Sequence, residues 1–202
     1  MRLLIIAGMP ASGKSTVARK ISEHFGYPLL EKDELKESLF DTLGFSCYAE
    51  KRRLDTAASS VLLRASDSLL SGGCSHIIVN NFRSDFEPAV KALLNKYCVN
   101  ALTVFFTGDP DVFYSRYVDR DNRGVRHLGH VVQEHYPPRE GDPVSHIMTR
   151  EEFRDKFESL GMASFDSGAP TLSVDATYPE SIDVELLIRN IESAFREMEN
   201  NQ

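Results

Sequence analysis

The chain has 202 residues, of which 42% are hydrophobic and 26% are charged, and its formal net charge is -7. This composition is typical of a folded globular domain, and the negative charge disfavours nucleic acid as a partner. No hydrophobic run reaches the length of a transmembrane helix, and the three cysteines lack the spacing of a thiolate metal site. We therefore expect a cytoplasmic domain with reduced cysteines and no membrane partner.

The first predicted strand, residues 3–7, leads into a glycine-rich segment that fits the pattern G-x-x-x-x-G-K-[ST]. Its two glycines permit backbone angles at which successive N–H groups line a concave anion site. The lysine would reach the β- and γ-phosphates, the serine hydroxyl would bind Mg2+, and a helix over residues 15–25 would point its N-terminus at them. The sequence therefore predicts a triphosphate-binding loop made of Gly8, Met9, Pro10, Ala11, Ser12, Gly13, Lys14, Ser15 and Thr16.

A second short strand, residues 27–30, is followed by Asp33. Because ligands of open α/β sheets gather beyond the carboxyl ends of the strands, we expect Asp33 to face the same crevice as the phosphate loop. There it could accept the proton of a substrate hydroxyl or hold Mg2+ through a water molecule. The alternative, which is compatible with catalysis, is that Asp33 caps a helix over residues 34–42.

The next segment, residues 50–70, has the periodicity of an amphipathic helix and is followed by two glycines. Its polar residues could line an acceptor pocket, but such a pattern more commonly indicates a solvated helix face. These residues are Lys51, Arg52, Arg53 and Asp55.

A third strand, predicted for residues 76–82, ends in Asn80 and Asn81, where many phosphate-loop proteins carry an aspartate. Amides are weaker Mg2+ ligands than carboxylates, so metal binding would depend more on Ser15, the nucleotide and Asp33. The asparagines are candidate substrate residues together with Arg83, or they form a turn. Residues 84–87 fit a capping box that opens a helix ending near residue 97.

A group of arginines follows the fourth predicted strand, residues 101–107. Arg116 and Arg120 share one face of a helix that begins at residue 110, and Arg123 and Arg126 come directly after it. Such a group can hold phosphates and neutralise charge on a transferring group, although a solvated basic helix end is the alternative. Because residues 121–147 are rich in Gly, Pro and His, we interpret them as a lid or substrate insertion in a single domain spanning residues 1–202.

Four of the six histidines lie in or beside this insertion: His127, His130, His135 and His146. Zinc binding is one possibility, but the spacing matches neither a helical pair nor a finger pattern, so we favour contacts of His127 and His130 with the substrate or lid. The chain continues with a capping box at residues 149–152, a fifth strand at residues 170–175 and a last helix from residue 179.

Alternating strands and helices predict an α/β fold, a three-layer sandwich with a five-stranded parallel sheet and helices on both faces. With the phosphate loop first, the chain resembles the P-loop kinase branch of the NTPases. Several segments are similar, more narrowly, to the zeta-toxin and chloramphenicol-phosphotransferase-like family of ATP-binding kinases: the loop at residues 8–16, Asp33, Arg116 with Arg120, residues 124–130, and Val174 with Asp175.

This resemblance implies transfer of the γ-phosphoryl group of ATP to a hydroxyl of a small molecule, with Mg2+ on Ser15. It implies that Asp33 is the base, that Lys14 and the lid arginines Arg120, Arg123 and Arg126 stabilise charge, and that Arg116 and Asp175 border the nucleotide. Two other functions stay open: a polynucleotide 5′-hydroxyl kinase, which would need a basic channel, and a non-catalytic nucleotide-binding switch.

Overall fold

The computed structural model describes residues 1–140 and 147–200, and within these ranges the strands form one five-stranded sheet. All its pairings are parallel, and the order of the strands is β2-β3-β1-β4-β5. The predicted α/β fold with a five-stranded parallel sheet is therefore confirmed. The strands are β1 (Arg2–Gly8), β2 (Leu29–Glu31), β3 (His76–Val79), β4 (Asn100–Thr107) and β5 (Thr171–Asp175).

Helices cover both faces of the sheet, because successive side chains of a buried strand point to opposite sides. In β1, Leu4 and Ile6 pack in one core cluster with residues of α1, α5, α7 and α8, whereas Leu3 and Ile5 pack in a second cluster with residues of α3 and α4. The described helices are α1 (Lys14–Phe25), α2 (Lys32–Leu43), α3 (Tyr48–Ser71), α4 (Glu87–Tyr97), α5 (Pro110–Asn122), α6 (Leu128–Val131), α7 (Arg150–Ser159) and α8 (Val184–Asn200).

The strand register brings the ends of three strands to one place. Ile6 of β1 lies opposite Val79 of β3, which in turn lies opposite Glu31 of β2. The segments that follow these strands are the phosphate loop, the start of α2 and the two asparagines. Gly8 closes β1 against β4, where a Cβ atom would come within 2.3 Å of the Phe106 carbonyl oxygen, so only glycine fits there.

The predicted lid packs against α2 and α3 in its described part. Phe45 forms an antiparallel bridge with Tyr136, and Lys51 donates hydrogen bonds to the carbonyl oxygens of His130, at 2.8 Å, and Val132. The segment is more regular than its composition predicts, because α5 continues to Asn122 and α6 forms one short helix. Residues 141–146, with His146, lie outside the described residues.

Of the two predicted capping boxes, one is confirmed and one is wrong. The capping box of α7 is present, since Thr149 and Glu152 exchange side-chain-to-backbone hydrogen bonds. The box predicted at residues 84–87 is absent from this described segment, because a 3-10 turn (Ser84–Phe86) precedes α4 and the Glu87 carboxylate accepts from the backbone N–H of Asp166.

The alternative role of Asp33 as a helix cap is also wrong. Helix α2 begins at Lys32, two residues before the predicted start, so Asp33 lies inside its first turn. The last helix starts later than expected, because Pro179–Ser181 forms a separate 3-10 turn before α8. Among the described residues, no helix combines the length and apolarity needed to cross a bilayer.

Candidate active site

A cleft of about 430 Å³ opens beyond the carboxyl ends of β1, β2 and β3. Such a position is where parallel α/β sheets bind ligands. The structure brings together at this cleft most of the residues proposed from the sequence: Pro10, Ala11, Ser12, Gly13, Lys14, Ser15, Thr16, Asp33, Asn80, Asn81, Arg116, Arg120, Arg123 and Arg126.

The phosphate loop is held in shape by hydrogen bonds between its own residues. Met9 is buried, and its carbonyl oxygen accepts a hydrogen bond of 2.6 Å from the Lys14 ammonium, which also donates to the Ser12 hydroxyl at 3.2 Å. Within the described chain no side chain caps the N-terminus of α1, so its first N–H groups remain available to an anion. Burial lowers the pKa of Lys14 to about 7.

Asp33 faces the loop from the first turn of α2, and 48% of its side-chain surface remains exposed to the cleft. Burial by the surrounding protein would raise the pKa of this carboxyl, but the charges of Lys32, His130, Lys36 and Arg126 lower it well below its usual range. The Lys32 ammonium is 3.1 Å from the Asp33 carboxylate. Asp33 is therefore ionised at neutral pH and can accept a hydrogen bond from a hydroxyl.

Behind Asp33, a carboxylate of α3 fixes two lysines of α2. The ammonium groups of Lys32 and Lys36 both lie 2.7 Å from Oδ1 of Asp55. The expectation of a solvated face on α3 is wrong for Lys51, which is buried, and for Asp55, which is half-buried. Arg52 and Arg53 are exposed, as that expectation requires.

Arg116 joins the cleft to the loop after β5. Its guanidinium donates to the carbonyl oxygens of Ala176, at 2.8 Å, and Thr177. Asp175 does not line the cleft, and its carboxylate accepts from the backbone N–H of Thr177 at 2.9 Å. Arg116 and Asp175 thus fix the shape of the loop that was expected to border the nucleotide.

Two further arginines of the cleft lie near a buried carboxylate, Asp121, whose side chain is only 3% exposed. Arg126 approaches it to 3.2 Å, and the Nε atom of Arg120 is 3.8 Å away. This Nε is buried and has no hydrogen-bond partner among the described residues. Burial and the neighbouring Arg126 charge lower the pKa of Arg120, although the group stays protonated at neutral pH.

Three predicted substrate residues lie outside the lining of the cleft. Arg83 makes two hydrogen bonds to Asp85, of 2.9 and 2.6 Å. The His127 ring is 3.0 Å from the Asp41 carboxylate, and the His130 ring is 2.9 Å from the Glu37 carboxylate. Both histidines therefore attach their segment to α2 in this structure.

The sequence interpretation missed other residues that line the cleft, including Asp119, Val125 and two neighbours of Asp33: Glu31 and Lys32. Glu31 is the last residue of β2 and its side chain is 4% exposed. Its Oε1 atom is 3.1 Å from Arg19 but forms no hydrogen bond within the described chain. Its position directly after the predicted strand was the available signal, because ligands of open α/β sheets gather beyond the carboxyl ends of the strands.

The described ranges contain no group of three or more His, Cys, Asp or Glu side chains that could hold a metal ion by themselves. The carboxylates and hydroxyl at the cleft, on Glu31, Asp33 and Ser15, are oxygen donors of the kind that Mg2+ prefers.

A phosphate loop between the central strand and its helix, in a parallel sheet of this order, defines a P-loop NTPase fold of the kinase type. A family model described as an AAA domain matches residues 4–137, and the chain belongs to that family. No curated protein matches the sequence.

Solved structures with this fold include several kinases. A candidate kinase from Chloroflexus aurantiacus j-10-fl is 28% identical, with 96% of this chain and 97% of that chain covered and a TM-score of 0.77. A gluconokinase from Sinorhizobium meliloti 1021 is 16% identical, with 98% and 93% covered and a TM-score of 0.56. A shikimate kinase from Bacteroides thetaiotaomicron is 14% identical, with 96% and 98% covered and a TM-score of 0.54.

Proposed function

We propose that the protein is an ATP-dependent phosphotransferase that moves the γ-phosphoryl group to a hydroxyl of a small molecule. The observation that carries this proposal is one cleft that combines a phosphate loop, an ionised aspartate on the facing helix and four arginines. The kinases among the structural neighbours act, by their names, on gluconate and shikimate, which agrees with a small acceptor. The similarity of motifs to the zeta-toxin and chloramphenicol-phosphotransferase-like kinases supports the same reaction class.

The donor side of the reaction belongs to the phosphate loop. Its backbone N–H groups and the N-terminus of α1 would hold the phosphates of ATP, and Lys14 would turn from the Met9 carbonyl oxygen to the β- and γ-phosphates. Arg116 and the loop that contains Asp175 would border the adenosine. Arg120, Arg123 and Arg126 would neutralise charge that develops on the transferring group and help to exclude water.

Asp33 is the proposed base. The acceptor oxygen forms a bond to the γ-phosphorus, the bond from phosphorus to the β-γ bridging oxygen breaks, ADP leaves with the electron pair, and Asp33 takes the hydroxyl proton. A carboxylate with a lowered pKa is a weak base, so Asp33 first orients the hydroxyl and receives the proton late, once bonding to phosphorus has acidified that oxygen. Asn80 and Asn81 would position the acceptor.

Mg2+ fits this site, because a buried carboxylate oxygen of Glu31, which pairs with Arg19 but accepts no hydrogen bond from the described residues, lies among the cleft residues with the Ser15 hydroxyl and Asp33. Ser15 would bind the ion directly, and Glu31 and Asp33 would hold it through water. Bound Mg2+ would supply positive charge that offsets the charge of the phosphates.

The test is an assay of ADP release with Mg-ATP and a panel of acceptors that covers sugars, sugar acids, amino alcohols, nucleosides, aminoglycosides, chloramphenicol-like compounds, nucleoside monophosphates and 5′-hydroxyl oligonucleotides. Stimulation by a small hydroxyl compound supports the proposal. Stimulation by oligonucleotides alone would replace it with a polynucleotide kinase, and tight ATP binding without acceptor-dependent turnover would replace it with a nucleotide-binding switch.

A further inference from the structure

Positive charge also collects beside Asp33, around the Asp55 carboxylate. We call this group the basic basin; its cations come from α2, α3, the loop after β3, and α7, and they surround Asp55: Lys32, Lys36, Lys51, Arg83 and Lys156. Apart from Lys32, none of these five residues lines the phosphate cleft. The basin therefore lies beside the donor site and shares Lys32 with it.

The carboxylates within reach do not balance these cations. Lys32 and Lys36 share a single oxygen of Asp55, and their side chains are only 10% and 12% exposed. Arg83 has its own partner in Asp85. In the described part of the chain, the Lys156 ammonium has only the Met148 sulfur, at 3.8 Å, as a hydrogen-bond partner. Lys32 also pairs with Asp33, at 3.1 Å, so Lys36 keeps Asp55 and Lys156 is the cation of the basin that has no carboxylate partner among the described residues.

The pKa of Lys51 shows the effect of the neighbouring positive charges. Burial lowers the pKa of Lys51 to about 7, and the charges of Lys36, Arg126 and Lys156 act in the same direction. The Lys51 ammonium donates hydrogen bonds to two backbone carbonyl oxygens, so it is not a candidate for binding an anion. Lys36 and Lys156 are the candidates, in a chain whose net charge is -7.

The basin is also close enough to Asp33, the proposed base, for one small molecule to contact both. Lys36 follows Asp33 by three residues in α2, which is close to one helical turn, or ~5 Å along the axis. An anionic group near Lys36 would therefore be a few covalent bonds away from a hydroxyl near Asp33. The donor phosphates have their own cations in Lys14, Arg120 and Arg123 and do not need the basin.

From these contacts we propose, on the basis of the proposed function, that the phosphoryl acceptor is itself an anion: a small hydroxylated compound that carries a carboxylate or a phosphate. Its anionic group binds between Lys36 of α2 and Lys156 of α7, and one of its hydroxyls reaches Asp33. A neutral sugar or amino alcohol would leave the basin uncompensated and would bind more weakly.

The first experiment compares matched acceptors in the ADP-release assay: D-gluconate against sorbitol, D-glycerate against glycerol, and glycerol 3-phosphate against glycerol. The charged member of at least one pair is expected to have a kcat/KM at least 100-fold above its neutral partner, and the carboxylate and phosphate arms identify the anion. Turnover of neutral compounds without a gain from the charge would overturn the proposal while leaving the phosphotransferase function intact.

The second experiment uses variants of α7. Lys156→Met is expected to raise the KM of the anionic acceptor at least tenfold and to leave the KM of ATP and the melting temperature unchanged. Lys156→Arg should retain most of the affinity, and Arg154→Met should behave as wild type, because Arg154 is an exposed cation of the same helix that pairs with Asp111. Equal KM values in Lys156→Met and wild type would contradict the proposal.

A binding measurement separates this proposal from the phosphotransferase function. With a non-hydrolysable ATP analogue in the donor site, calorimetric titration of D-gluconate and of inorganic phosphate should show binding of at least one of them that Lys156→Met removes and Arg154→Met keeps. If no acceptor gives turnover but this binding is found, the basin binds anions and the phosphotransferase function fails. Absence of binding to the wild-type protein would reject the basin as an anion site.

Discussion

The Asp33 carboxylate is ionised and partly exposed to the cleft, and one isosteric substitution tests its role. Asp33→Asn keeps a hydrogen-bonding group in place but cannot take the hydroxyl proton, so we expect acceptor-dependent turnover to fall by roughly 10²-fold or more while ATP affinity stays within about twofold. Glu34→Gln, an exposed neighbour on the same helix, is the control. Unchanged turnover in Asp33→Asn would remove this residue from the mechanism.

Lys14 should link nucleotide binding to proton uptake. Burial lowers its pKa to about 7 in the free protein, and phosphates bound beside it would raise that pKa. Above pH 7 the free protein then lacks a proton that the complex holds, so ATP affinity falls as the pH rises toward the pKa of the complex. Calorimetry at pH 8, in buffers of different ionisation enthalpy, should detect uptake of close to one proton. Absence of uptake, or equal uptake by Lys14→Met, would contradict this origin.

Single residues differ in how far the sequence reveals them. The phosphate loop is contiguous, so its composition and spacing predict both its shape and its ligand. Asp55 is 23 residues away from its partner Lys32, and a polar residue on an amphipathic helix has the same periodicity whether it faces solvent or a buried lysine. Glu31 was missed for a related reason, because burial of a carboxylate depends on neighbours that the local sequence does not show.

At the scale of elements, the segment after α5 depends on one close contact with α2. A Cβ atom on Gly129 would come within 2.3 Å of the Phe40 ring, which is fully buried. Gly129→Ala is therefore expected to displace α6 and to destabilise the protein by about 1–3 kcal/mol. Hydrogen exchange should become faster over residues 127–137.

The control for this variant is Gly124→Asn, since nothing lies within 4 Å of a Cβ atom there and asparagine tolerates the positive φ of 64°. It should leave exchange over residues 127–137 unchanged. Equal protection of this segment in Gly129→Ala and in the wild-type protein would mean that its packing against α2 is not needed to hold it.

Helices and strands were predictable where their own residues decide the structure. The five strands and the capping box at Thr149 are of this kind. The start of α4 was not, because Glu87 bonds to Asp166 rather than to its own helix terminus. The insertion was expected to be irregular from its Gly, Pro and His content, but contacts with Phe40 and Lys51 give its middle a defined path.

At the scale of the whole molecule, the fold class followed from the alternation of strands and helices, whereas the distribution of charge did not. A net charge of -7 sums over the entire chain and conceals a basin whose cations come from separate elements. Only the fold assembles them beside Asp55. In the proposed reaction, the donor would bind at the phosphate loop and the anionic group of the acceptor at the basin, with Asp33 close to both.

The most direct test of the central claim is to identify the phosphorylated product. Phosphorus NMR of a reaction with Mg-ATP and the best acceptor from the panel should show, beside ADP, a new phosphate monoester coupled to a carbon-bound proton of the acceptor, and Lys14→Ala should reduce its formation at least ~100-fold. Lys20→Ala, an exposed lysine on the same helix, should leave it unchanged. Release of inorganic phosphate alone, or a phosphoanhydride product, would contradict transfer to a hydroxyl.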